Sequence, residues 1–208
     1  MRQFLMIIIF SLSYINVTQA DDIKDFQISK MNVRDSLLNH FDKNSIIKEL
    51  NSKYTFFYKN KTYAIVTAGN SNEYPLRVNT DMYDDVSITI KPNDKQFIIY
   101  GLAGRIFCKD DINYCKSKKK EIDNDLDNFF GKNVEIHKAD KDHAFDKTGR
   151  SKSFNTYYLF KSGDHITVAT YDWHPEAKNQ NGISFPDNTK VIITTKELEK
   201  FLSDVQYN

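Results

Sequence analysis

The residues best suited to chemistry stand in the run Tyr171-Asp172-Trp173-His174, which holds the only tryptophan of the chain. On a strand, Asp172 and His174 point to one side and Tyr171 and Trp173 to the other. A carboxylate beside an imidazole can pass a proton to or from a substrate, and His165 can join the pair from across a hairpin. Asp172, His174 and His165 therefore form the candidate catalytic set of a hydrolase-like enzyme. The plainer reading, and the favoured one, places the aromatic pair in the core and the polar pair in water.

Other groupings carry less. His137 and His143 lie among Asp140, Asp142 and Asp146, but a polar loop gives ligands no convergent geometry. No metal site and no cofactor is expected. Asp123, Asp125 and Asp127 imitate the start of a calcium loop, yet Asn128 replaces its glycine and Val134 its terminal glutamate. These acids read as the exposed side of a helix. Lys116, Lys118, Lys119 and Lys120 form a cationic cluster, a candidate docking patch for an anionic partner, and Trp173 is a further candidate binding residue. A solvated helix face is the favoured alternative. Gly-x-Ser-x-Gly, Walker, dinucleotide and His-Glu-x-x-His motifs are absent.

The first twenty residues set the compartment. Arg2, the apolar run Phe4 to Leu12 and the small-residue exit Thr18-Gln19-Ala20 have the order of a secretory signal peptide cleaved after Ala20. The run is shorter than the roughly 20 residues of a membrane-spanning helix. Residues 21–208 then read as a single globular domain with no transmembrane segment, periplasmic or secreted. Lys and Arg number 29 against 28 Asp and Glu, and Arg2 leaves with the leader. A neutral body argues against nucleic acid as a partner. Of the two cysteines, Cys108 and Cys115, an oxidising compartment favours a disulfide over free thiols. Closing so short a loop stabilises a fold by roughly 2.5 kcal/mol.

The elements that position these groups follow from periodicity. Asn32 to Leu50 reads as two short helices, capped by Asn32 and Asp35 and interrupted at Asp42 to Ser45. Tyr54 to Tyr58 and Thr62 to Thr67 read as a hairpin joined across Asn60-Lys61, and 69–84 as a loop. Val86, Ile88 and Ile90 alternate with Ser87 and Thr89 as a strand with one wet face. Phe97 to Cys108 returns as a strand with a bulge expected at Gly101 or Gly104.

Ile112, Cys115, Ile122, Leu126 and Phe129 mark one helical face, with Lys119 in the missing step. Asp110 or Asp111 starts that helix and Gly131 ends it. Residues 137–152 read as a polar surface loop. Phe154 to Phe160 and His165 to Trp173 form a second hairpin around Ser162-Gly163-Asp164, followed by a loop over 175–187 and a strand at Lys190 to Ile193. Thr194 and Glu197 make a capping box for a terminal helix carrying Leu198, Phe201, Leu202 and Val205. The sum predicts an α+β fold, an antiparallel sheet built from hairpins with helices packed on one face.

The opening Asp25-Phe26-Gln27-Ile28-Ser29-Lys30-Met31-Asn32-Val33-Arg34-Asp35-Ser36-Leu37-Leu38 resembles that of small exported bacterial proteins of unknown function. Phe97 to Gly101, Lys161 to Asp164 and Ile192 to Glu197 are similar too, so the likeness spans nearly the whole mature chain. It implies export and no activity, ligand or catalytic residue. The Met-x-Val-x-Asp-Ser-Leu-Leu start followed by hairpins is more loosely similar to envelope modules of the outer-membrane assembly lipoprotein type, whose lipidated cysteine this chain lacks.

The expectation is a non-catalytic binding or interaction module of the cell envelope, its partner an envelope protein or a small molecule. The alternatives are the hydrolase-like enzyme and an enzyme inhibitor acting through an exposed loop at 69–84 or 175–187.

Overall fold

A computed structural model describes residues 23, 26–79, 82–143, 146, 148–178 and 184–206. The predicted signal peptide and its cleavage point lie outside the described residues. Nine strands are present among those described: β1 Phe56–Phe57, β2 Ala64–Gly69, β3 Leu76–Arg77, β4 Asp85–Ile90, β5 Ile99–Phe107, β6 Glu135–Asp142, β7 Lys152–Leu159, β8 His165–Asp172 and β9 Asn188–Thr194. They make one sheet in the order β1-β2-β4-β5-β9-β8-β7-β6, antiparallel except for β3, which runs parallel to β2. The helices α1 Lys43–Leu50, α2 Ile112–Phe130 and α3 Lys196–Phe201 pack against it. The fold is α+β.

Side chains alternate across each strand, so the register sorts them into two faces. Val66, Ile88, Leu102, Ile193, Ile166 and Tyr158 form one cross-strand row. All six are buried in the main core. Ile28, Met31, Val33 and Leu37 of the opening segment join the same core, as do Ile46 of α1 and Leu126 and Phe130 of α2. The short α3 lies against the other face, where its Leu198 side chain occupies the space a Cβ on Gly101 would need.

Several local expectations change. The opening segment is not helical up to Ser36. Arg34 and Leu37 instead donate their backbone N–H groups to Ile99 (2.7 Å) and Phe97 (3.0 Å), and Asp42, read as an interruption, caps α1 through Ser45. The terminal helix is capped by Thr195 rather than Thr194, and Thr195 Oγ1 also donates to the Tyr100 carbonyl (2.8 Å). Tyr100 is the extra residue of a bulge opposite Thr89 and Ile90, beside Gly101 as expected. Gly104 keeps regular register, and its missing Cβ makes room for the Tyr83 ring.

The run 135–142 is strand β6, not loop. It is an edge strand whose backbone pairs with β7 along its full length while its charged side chains face water, which blunts edge-to-edge association. On α2, Phe130 takes the core position expected for Phe129, which is 46% exposed. Asp123 is buried, not exposed, because Lys119 Nζ (2.7 Å) and Thr156 Oγ1 (3.0 Å) donate to its carboxylate. Tyr158 OH donates to the Asp123 carbonyl (3.1 Å) and to Asp127 Oδ1 (2.9 Å). The polar step in the helix face is thus a satisfied buried network.

Cys108 and Cys115 are disulfide-bonded, tying the first turn of α2 to the end of β5. Reduction, or the Cys108→Ser/Cys115→Ser double variant, is expected to lower unfolding free energy by roughly 2.5 kcal/mol. Urea unfolding with and without reductant measures the difference, and identical midpoints would refute it.

A second prediction arises at the gap between β1 and β3 on the edge of β2. There the Thr67 N–H is met by Glu49 Oε1 (3.2 Å), a carboxylate with no solvent exposure. Burial raises the Glu49 pKa, partly offset by the Thr67 amide and Ser52. The folded value lies above the unfolded one, so stability falls as pH rises through the carboxylate range. Glu49→Gln keeps the acceptor and removes the charge. It is expected to stabilise the fold at pH 7 and to leave thermal unfolding at pH 3 unchanged.

Candidate functional site

The face opposite the main core is built differently. Its rows carry Ser87, Ala103, Ile192, Thr167 and Tyr157, and beside them Asp85, Arg105, Lys190, Ala169 and Asn155. Small residues in mid-sheet, Gly101, Ser87 and Ala103, leave a trough. Leu198 and Leu202 form one bank, and Lys190, Tyr171 and Asn155 the other, with Tyr157 at one end and Tyr58 and Ile65 toward the opposite edge. The groove encloses about 400 Å³, within the range of small-molecule sites.

Its electrostatics centre on Lys190. Asp85 is buried and ion-paired with Arg105, whose Nε lies 3.0 Å from Oδ1. That pair is neutral. Lys190 Nζ stands 5.4 Å from the centre of the Tyr171 ring and makes no hydrogen bond or ion pair with the described residues. Burial lowers its pKa to about 8, assisted by Arg105 and partly opposed by Asp85. At the α3 end, burial also lowers the His165 pKa, with Glu199 and Asp164 opposing. Its Nε2 is 3.9 Å from Glu199 Oε2.

Beyond Tyr171 an aromatic stack continues the bank. Trp173 packs on Phe185 (4.3 Å between centres) and on His143 (4.0 Å). Burial lowers the His143 pKa, then Lys190, with Asp146 opposing.

Of the expected catalytic set, His165 is not brought to Asp172. His165 and Asp172 occupy the two ends of β8, about 23 Å apart at the rise of a strand, and they face opposite sides of the sheet. Asp172 lies on the α2 side, 3.8 Å from Lys116. His174 donates its backbone N–H to Ser151 Oγ (2.9 Å), and its Nδ1 accepts from Glu176 N–H (3.2 Å). Of the three, His165 lines the groove.

The cationic cluster is largely neutralised: Lys116 by Asp172, Lys118 by Glu121 (2.7 Å) and Lys119 by Asp123, while Lys120 is exposed. His137 Nε2 contacts Glu135 (2.8 Å). Asp146 accepts from the backbone and hydroxyl of both Thr148 and Ser151. Among the described residues, no group of three or more His, Cys, Asp or Glu could hold a metal ion, and no helix is long and apolar enough to cross a membrane. In the 69–84 segment Met82 is 67% exposed. The 175–187 loop is described only in part.

Sequence reading missed Lys190, Asn155, Tyr157 and the Asp85–Arg105 pair as site residues. The available signal was Lys190 itself, a cation alternating with Ile192 on a strand whose Val191 and Ile193 are core.

A larger cleft of about 570 Å³ lies between α2 and the β4–β5 side, lined by Phe26, Tyr83, Ile106, Tyr114, Ile122 and Leu126 among others. Its rim charges pair with each other, as Lys118 and Glu121 do. The groove, with a converging unpaired charge and aromatic walls, is the better-formed site.

Fold and site define an α+β protein with an open groove of ligand size across one face of an antiparallel sheet. No protein-family model, curated protein or solved structure matches the chain.

Proposed function

We propose that the protein is an exported, non-catalytic binding module, periplasmic or extracellular, whose ligand lies in the groove on the open face of the sheet. One observation carries this reading: one face is closed by core and helices, while the other keeps a concavity with a desolvated, unpaired cation. Unpaired charge beneath partial cover costs stability, and a ligand-binding role accounts for its retention. The groove's size favours a small molecule over an envelope protein. The leader-like start, the disulfide and the resemblance of the opening segment all support export. The separation of His165 from Asp172 counts against a three-residue set, which leaves Asp172 and His174 alone as the hydrolase alternative.

Native mass spectrometry of protein isolated from periplasmic and medium fractions tests the proposal. The expected species begins at Asp21, has both cysteines oxidised and carries a non-covalent small-molecule adduct. Ala103→Trp, which fills the trough from its floor, is expected to lose the adduct while keeping its circular dichroism spectrum. A chain retaining Met1 to Ala20 with reduced thiols overturns the export reading. An adduct absent from the wild type, or indifferent to Ala103→Trp, overturns the groove.

A further inference from the structure

We infer that Lys190 is the anion-holding residue of the groove and that the ligand is an amphiphilic monocarboxylate, its acid group on Nζ and its apolar body along Ile192 and Leu198. This rests on the groove being the binding surface and adds the chemistry of its occupant.

The charge count comes first. The groups facing Lys190 are Arg105 from β5, Asp85 from β4, Tyr171 from β8 and His143 beyond β6. Asp85 is committed to Arg105 through both of its carboxylate oxygens. Glu199, the other carboxylate lining the groove, lies against His165 at the α3 end, so among the described residues Nζ has no ion-pair partner, and an incoming anion completes an ion pair in a site already partly stripped of water. Charge-assisted hydrogen bonds are strongest there.

The valence of the ligand follows. A phosphate dianion is matched best by a fork of guanidinium donors or by more than one cation. The one guanidinium at this point is charge-neutralised by Asp85, leaving a single ammonium without a counter-charge, which matches a single negative charge. The shape of the groove supplies the rest. From Lys190 the surface runs over Ile192 and Ala103 to Leu198 and Leu202 of the α3 bank, so a ligand anchored by its acid lays a hydrocarbon body on apolar floor. A purely polar anion would leave that floor uncovered.

Octanoate, octanamide and octylamine serve as probes in calorimetric titrations of the full mature chain. Octanoate is expected to bind at least about tenfold more tightly than octanamide at pH 7, from one charged hydrogen bond, and octylamine more weakly than either. The preference is expected to fade between pH 7 and 10 as Nζ loses its proton. His143, with a lowered pKa, is already neutral over that range. Lys190→Met is expected to erase the difference between octanoate and octanamide. Equal binding of the two by the wild-type chain, or a preference that survives Lys190→Met, overturns the anion inference and leaves the groove standing. No binding of either, or binding unaffected by Ala103→Trp, overturns the groove and the inference together.

Discussion

Asp164→Ala is expected to remove about 3 kcal/mol of stability at pH 7, the order of cost of removing a buried carboxylate that accepts several hydrogen bonds. Asp164 is 1% exposed. It accepts two hydrogen bonds from Arg34 Nη2 (2.7 and 2.8 Å), one from the Lys196 N–H (2.8 Å) and one from Ser162 Oγ (2.9 Å). One carboxylate thereby joins the opening segment, the β7–β8 turn and the first turn of α3. Through their hydrogen bonds, the segments around Arg34, Phe97 to Gly101, Ser162 to Asp164 and Thr195 to Lys196 meet at this corner.

Burial pulls the Asp164 pKa upward, but Arg34, the Lys196 amide and Ser162 together outweigh it and hold the group below the usual value. The folded value lies below the unfolded one. Its stabilisation is therefore present at neutral pH and disappears as pH falls through the folded pKa. Thermal unfolding of Asp164→Ala is expected roughly 10 °C below the wild type at pH 7, the gap closing in strong acid. Arg34→Met is expected to cost less, since the Arg34 side chain is 51% exposed and water offsets part of the loss. Equal midpoints for Asp164→Ala and the wild type at pH 7 would show that this corner does not hold the fold.

Lys190→Met is expected to act in the opposite direction, raising stability at pH 7 by about 3 kcal/mol while removing the preference for an anion. The folded pKa of about 8 lies below the ordinary 10.5 of lysine, and that gap corresponds to about 3 kcal/mol. For a lysine the depressed value means that the folded state pays to keep the proton. The penalty is complete below the folded pKa, declines as pH rises toward the unfolded value, and is gone above it. Methionine fills similar space without charge.

Chemical denaturation at pH 7 and pH 10 is the measurement. A large gain at pH 7 that shrinks to less than about 1 kcal/mol at pH 10 fits a residue kept for binding at the expense of stability. A loss at pH 7 would instead make Lys190 a structural prop. The same depressed value makes Nζ far more reactive than an ordinary lysine toward amine reagents near neutrality.

Local pattern was enough for much of this molecule. Alternation in Val86, Ile88 and Ile90, the Asp111 start and Gly131 end of α2, the second hairpin and the Cys108–Cys115 bond all follow from near neighbours in the chain. Such features depend on dihedral preference, capping and short loop closure, which a few consecutive residues settle. β6 was illegible because His137 to Asp142 carry no apolar period, and β7 supplies the hydrogen bonds that make it a strand. Asp123 looked exposed because its partners Thr156 and Tyr158 arrive from β7.

The groove depended on register. Arg105 meets Lys190 across β5 and β9, and the chain between them has no period that specifies this pairing. The bulge at Tyr100 and the cap at Thr195 then seat α3 over Gly101 to form the second bank. Amino-acid order alone determined most of the strands and helices, though not β6 or the non-helical opening segment, together with the redox link and the leader-like start. Only the folded sheet decided that Lys190 would stand partly buried, without a carboxylate, beside an apolar trough, because side chains distant in sequence share an environment through strand pairing and not through spacing.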